Sequence, residues 1–267
     1  MNDTRGLIEE HSINPNKALG QNFLTDESAI GRIVAAAAEP GLPLIEIGPG
    51  LGALTFPLAE TGLPLAAVEL DSVLAGILSK ELPANARVFN ADFLKCDLEA
   101  IHASLDGGEL TAVGNLPYYV TSDIVNRLVT CRLPIRRMVL MMQKEAAERF
   151  TAEPGEKNYV PLTVLSRLKY EIKPLIELSP ASYWPQPEVS SAVLVFESRG
   201  AELPESLPKV VKAAFAMRRK TLANNLCALG YKKAEAAELI EELGFPPSVR
   251  AEALTPAQLL ALCRGME

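Results

Sequence analysis

The stretch Leu44-Ile45-Glu46-Ile47-Gly48-Pro49-Gly50-Leu51-Gly52 sets the reading of the chain. A short, wholly buried strand runs into a glycine-rich loop, and a helix start follows. Outward from it the same unit recurs. A second strand, Leu65 to Val68, ends at Glu69-Leu70-Asp71 and leads into a helix from Ser72 to Glu81. A third, Arg87 to Asn90, ends near Asp92, and a fourth, built on Leu110 to Val113, ends at Asn115-Leu116-Pro117-Tyr118. Met138 to Met142 makes a fifth, after a helix at Ser122 to Thr130. Strands alternating with helices at this spacing predict parallel βαβ units and a doubly wound, Rossmann-like α/β sheet. Ligands of such sheets bind beyond the carboxyl ends of the strands. Gly48, Glu69, Asp92 and Asn115 each fall at such an end.

Upstream, residues 1–24 read as polar and irregular, and Thr25 or Asp26 caps a helix running to about Ala38. Downstream, Gln143 to Phe150 is helical, Thr151 to Asn158 is a loop, and Val160 to Lys169 is a helix. Ile172 to Leu178 and Ala192 to Phe196 are the last strands, and Ser198 to Pro208 is a linker. Beyond it only helical patterns remain, so the predicted organisation is an α/β domain over residues 1–198 and a small all-helical domain over 199–267.

With 48% hydrophobic residues and no apolar run of membrane length, the sequence is expected to be a soluble protein with no membrane partner. The first residues lack the pattern of a signal peptide. Four scattered cysteines and two histidines offer neither metal spacing nor a disulfide framework, which points to inert thiols in the cytoplasm and to no metal site. Net charge is −7, yet the charges are segregated. Ile45 to Leu110 carries ten acids and three bases, whereas Lys209 to Lys233 carries seven bases and no acid. A polyanion could use the basic parts without meeting the acidic ones.

The glycine loop departs from the dinucleotide fingerprint, since its third glycine comes one position early and proline stiffens it. That favours a ligand without a diphosphate, S-adenosylmethionine, over a dinucleotide; a plain βα turn is the bland alternative for the loop by itself. Glu69, seventeen residues after Gly52, stands where an acid accepts bonds from both ribose hydroxyls. Asp92 is placed to accept from the adenine amine of the cofactor. Asn115-Leu116-Pro117-Tyr118 offers a carbonyl acceptor, a fixed bend and a stacking ring within four residues. The Asn115 side-chain carbonyl and the Leu116 main-chain carbonyl could hold the hydrogens of a base amine, while Tyr118 stacks on an extruded base.

These motifs resemble a class I methyltransferase acting on an amine, and nearly the whole chain resembles the small-subunit ribosomal RNA adenine dimethyltransferases. The resemblance rests on Gly20 to Leu24, Glu46 to Gly52, Glu69-Leu70-Asp71, Asn115 to Tyr118 and Gln143-Lys144-Glu145. It continues through Pro185, Pro187, Ser191-Ala192-Val193, Arg218 to Leu222, Asn224-Asn225-Leu226 and Arg250-Ala251-Glu252.

The resemblance implies dimethylation of two adjacent adenines near the 3′ end of small-subunit rRNA, within a partly assembled subunit, by a monomer. It implies cofactor contacts from Asn22, Leu24, Gly48, Gly50, Glu69, Asp92 and Asn115. Asn115, Leu116, Pro117 and Tyr118 become candidate catalytic residues. Tyr183, where the family usually has phenylalanine, is implied as a second stacking ring. Glu188 and Ser190 replace a usual lysine and aspartate, and Val160-Pro161 replaces a usual glycine-containing step. The basic run Arg218-Arg219-Lys220, read as helical, is the candidate phosphate contact, with an ordinary solvated face as its alternative. Two rival functions stand beside this one: a resistance-type enzyme methylating an adenine of large-subunit rRNA, and a non-catalytic RNA-binding assembly factor.

Overall fold

A computed structural model describes Gly6, Ile13, Pro15 and residues 20–266. The stretch expected to be irregular up to residue 24 therefore lies mostly outside the described residues. Its last two residues are ordered as a short strand β1, Phe23–Leu24, paired antiparallel with β8, Tyr183–Trp184.

The main sheet has seven strands in the order β4-β3-β2-β5-β6-β9-β7. They are β2 (Leu44–Ile47), β3 (Leu65–Glu69), β4 (Ala86–Asn90), β5 (Leu110–Asn115), β6 (Ile135–Gln143), β7 (Tyr170–Leu178) and β9 (Ser191–Ser198). The pairs from β4 across to β6 are all parallel, as the alternating pattern predicts. Every residue of β2 and β3 is buried, which is why both read as continuous apolar runs rather than alternating ones. Strand β9 joins β6 antiparallel, with Met141 opposite Val193 and Gln143 opposite Ser191. The chain leaves β2 for β3 on one side and later returns to β5 on the other. The order therefore switches at β2, where a crevice opens at the strand ends.

Short polar caps set where the helices begin. Asp26 accepts from Ala29 N at the start of α1, Glu27–Ala37. A brief helix α2, Thr55–Glu60, follows the glycine loop, and Asp71 accepts from Val73 N and Leu74 N at the start of α3, Ser72–Glu81. The structure adds a helix that periodicity did not yield, α4 (Leu98–Ala103), capped by Asp97. Helix α5 follows at Thr121–Thr130. The core of this part gathers Leu24, Ile33, Leu44, Leu58, Leu65, Val113, Met141 and Val193 between sheet and helices.

Contacts divide the chain into two compact units, Met1–Ala147 with Lys173–Glu197, and Glu148–Ile172 with Ser198–Glu267. A single break near residue 198 thus misses the segment Glu148–Ile172. Its side chains explain the difference. The Tyr159 hydroxyl donates to the Leu254 carbonyl at 2.8 Å, its ring lies 5.9 Å from that of Phe215, and Gly155 N donates to the Glu252 carbonyl at 2.7 Å. That unit holds the helices α7 (Pro161–Lys169), α8 (Leu207–Ala214), α9 (Leu222–Leu226), α10 (Lys233–Glu242) and α11 (Pro256–Gly265), while α6 (Lys144–Thr151) leads into it. Everything after residue 206 is helix or turn, the all-helical C-terminal part that the pattern predicts. No helix among the described residues is long and apolar enough to cross a membrane.

Candidate active site

One cavity opens at the ends of β2, β3, β4 and β5. Asn22, Leu24, Gly48, Gly50, Glu69, Asp92, Asn115, Leu116, Pro117 and Tyr118 all line it. Ten expected site residues, drawn from five separate stretches of sequence, are thus brought to one place.

The glycine loop reaches this cavity with left-handed backbone at Gly48, φ +65°, and Gly50, φ +58°, a conformation that side-chain-bearing residues avoid. Gly52 answers a different demand. A Cβ there would stand 2.5 Å from the Phe56 ring and 2.8 Å from Leu78, so this glycine lets the loop lie close against both side chains.

Glu69 is held rather than free. Its Oε2 accepts from Gly50 N at 2.9 Å and its Oε1 from Asp71 N at 2.8 Å, so the carboxylate braces the glycine loop. Burial pushes its pKa up, against the lowering effect of those two main-chain bonds. Each oxygen keeps a lone pair for a ligand hydroxyl. Asp92 is more exposed; Leu94 N and Lys95 Nζ bind it and hold its carboxyl below the usual range.

Glu46 is a residue that the motif contained without a role. It is 2% exposed on β2, its Oε2 has no hydrogen-bond partner, and burial raises its pKa to about 8. An acid inside an otherwise apolar, wholly buried strand is the signal that was available for it. Glu46, Glu69 and Asp92 are the cavity's acidic side chains, Glu46 in its protonated form at neutral pH; no lysine, arginine or histidine lines it among the described residues. A diphosphate finds no counter-charge there, whereas a cationic ligand rich in hydroxyls finds acceptors.

The orientation of Asn115 follows from its neighbours. Its Nδ2 donates to the Asn22 carbonyl at 3.1 Å, which turns Oδ1 the other way as an acceptor. The Asn22 amide in turn donates to the Gly20 carbonyl at 3.1 Å, and Gln21 Nε2 donates to Asp71 Oδ2 at 3.1 Å. The segment lining one wall is therefore tied both to the β3 end and to Asn115. Leu116 N donates to the Met141 carbonyl at 2.9 Å, which fastens the residue that carries the second acceptor. The Pro117 carbonyl accepts from Val120 N and the Thr121 hydroxyl, which locks the bend beneath Tyr118.

Two expectations need correction. Tyr183 does not line the cavity: it is 3% exposed on β8, where it stands opposite Leu24 of β1, and its hydroxyl donates to Met141 Sδ at 3.0 Å. Arg218-Arg219-Lys220 is not helical but lies in the turn between α8 and α9. Within it Arg218 already has partners: Nε meets Glu252 Oε2 at 2.8 Å, and its terminal nitrogens donate to the carbonyls of Lys157 and Glu156. Arg219 and Lys220 are exposed. Among the described residues no cluster of potential ligands could hold a metal ion.

The sequence and the fold have counterparts among known proteins. The chain is 40% identical to ribosomal RNA small subunit methyltransferase A of Geobacillus thermodenitrificans, over 98% of this chain and 94% of that one. It is 41% identical to the protein of the same name from Desulfitobacterium hafniense, over 94% and 92% of the two chains. Among solved structures, a Plasmodium falciparum dimethyladenosine transferase shares the fold with a TM-score of 0.72 and 22% identity, covering 90% of this chain and 95% of that one. The 23S rRNA methyltransferase ErmE shares it with a TM-score of 0.65 and 26% identity, over 91% and 99%. The sequence profile of the ribosomal RNA adenine dimethylases matches residues 12–264, and with relatives this similar over nearly their whole length the chain belongs to that family.

Proposed function

We propose that this chain dimethylates the exocyclic amines of two adjacent adenines near the 3′ end of small-subunit rRNA, using S-adenosylmethionine, as a cytoplasmic monomer acting on a partly assembled subunit. The observation that carries the reading is Asn115, its amide nitrogen fastened to Asn22 and its oxygen left as an acceptor, at the mouth of a cavity whose charged residues are all acids. S-adenosylmethionine supplies an electrophilic methyl group on a sulfonium cation. Asn22, Leu24, Gly48, Gly50 and Glu69 would hold it, with Asp92 toward the adenine end. The orphaned Glu46 oxygen, buried in the cavity wall, fits a ligand that brings a hydrogen-bonding group.

An adenine amine is a weak nucleophile because its lone pair is delocalised into the ring. The Asn115 Oδ1 and the Leu116 carbonyl accept its two hydrogens and draw the nitrogen toward tetrahedral geometry. Tyr118 stacks on the base and offsets part of the few kcal/mol needed to unstack it. Positioning and preorganised acceptors carry the step, without a strong base. On the second unit, Arg219 and Lys220 are the exposed cations for phosphate, and Arg218 shapes the turn that presents them.

The likeness to ErmE supports a second reading, methylation of large-subunit rRNA. The higher identity to proteins named for the small subunit favours the first. Incubation with labelled S-adenosylmethionine and unmethylated small or large subunits, followed by mapping of modified nucleotides by mass spectrometry, separates them. Label on adjacent small-subunit adenines is expected. Label confined to the large subunit overturns the substrate, and RNA binding without any label favours a non-catalytic assembly factor.

A further inference from the structure

Behind Tyr118 lies a buried hydroxyl that the proposed chemistry does not use. The Tyr118 hydroxyl lies 3.2 Å from Ser191 Oγ. Ser191, the first residue of β9, is 1% exposed. The Tyr183 hydroxyl is engaged elsewhere, donating to Met141 Sδ. Burial pushes the Tyr118 phenol above its ordinary range, so its hydrogen is in place at neutral pH.

We infer that Ser191 is a positioning residue for methyl transfer, holding the Tyr118 ring at the angle that stacks on the target base. This rests on the proposed function. Tyr118 follows the bend after β5, so its ring can pivot about its own side-chain bonds. The hydroxyl is the end of the ring farthest from that pivot, and fixing it there restricts the swing most. The anchor point, the start of β9, lies within the sheet, with Ser191 opposite Gln143 of β6, so the restraint is as rigid as the core.

The test is a double-mutant cycle on unmethylated small subunits with labelled S-adenosylmethionine, using Tyr118→Phe, Ser191→Ala and the pair. Each single variant is expected to lower kcat roughly fivefold, the worth of one hydrogen bond, and the pair no further than either alone. The KM for S-adenosylmethionine should stay at the wild-type value in all three. Multiplying losses in the pair, or unchanged kcat in either single variant, overturns the inference. If Ser191→Ala melts below the assay temperature, Tyr118→Phe decides alone: a slower kcat is expected, and a wild-type rate overturns the inference. A wild-type enzyme that labels no small-subunit adenine overturns the proposed function and this inference together. An active wild type with unaffected variants overturns this inference alone.

Discussion

Acids and bases are used differently in the two units. At the strand ends Glu46, Glu69 and Asp92 converge on a single cavity, and the bonds they make inside the protein leave acceptor capacity facing it. In the second unit the densest basic run lies on a turn, and its first arginine is occupied by Glu252 and two main-chain carbonyls. Grouped charge thus has two meanings. It marks a ligand site where side chains keep unmet valence, and a structural joint where they do not.

The first half of that contrast predicts the largest effect. Asn115→Ala removes a preorganised acceptor, and a loss of transfer on the order of 10²–10³-fold is expected, with RNA binding retained. Turnover near wild type in a single-turnover assay would break the link between unmet valence and chemistry.

Glu46 tests whether the burial of an acid has a cost that pH reveals. Its carboxyl stays protonated in the folded protein up to about pH 8, against 4.5 for the ordinary group. The native state therefore binds more protons than the unfolded chain across that window, so stability is unpenalised below it and falls as pH rises through it. Glu46→Gln should match the wild type near the bottom of the window. It should exceed it by on the order of a few kcal/mol at the top, measured by urea denaturation. Parallel pH profiles for the two proteins would be the contrary result.

Gly52→Ala places a methyl group against Phe56 and Leu78 on left-handed backbone, φ +85°. A loss of about 1–3 kcal/mol is expected by thermal denaturation. An unchanged melting temperature would show that this loop has slack.

The smallest effects discriminate most finely. Arg219→Ala should lower the slope of log affinity against log salt by about one and weaken RNA binding uniformly. Arg218→Ala should instead leave the slope alone while destabilising the protein by about 1 kcal/mol, its ion pair being partly exposed. A slope that falls for Arg218 and not for Arg219 would reverse the two roles.

How much of this was legible depends on distance along the chain. Gly48, Glu69, Asp92 and Asn115 could be placed together because each ends a parallel strand, and a strand end is recognisable from a handful of neighbouring residues. The partners of Arg218 could not: Glu252 is 34 residues away and Lys157 is 61 away. Tyr183 was misplaced for the same reason. It stands opposite Leu24 in β1 and bonds Met141, and no local pattern specifies either partner. Ser191 looked like part of a family motif, but its contact with Tyr118 spans 73 residues. The helix Leu98–Ala103 is a miss of another kind, since the Asp97 cap was there to be seen and the apolar run was too short to draw attention.

The interrupted second unit also bears on the order in which the protein is made. Residues 148–172 leave a translating ribosome before residues 198–267 exist, so Tyr159 must wait for both Phe215 and Leu254. Strands β7 and β9 are synthesised during that wait. The first unit can then complete its sheet while the second still lacks most of its chain. Cutting the gene after residue 198 would consequently not free an independent module; it would leave Tyr159 without Phe215 and Leu254, which are never translated.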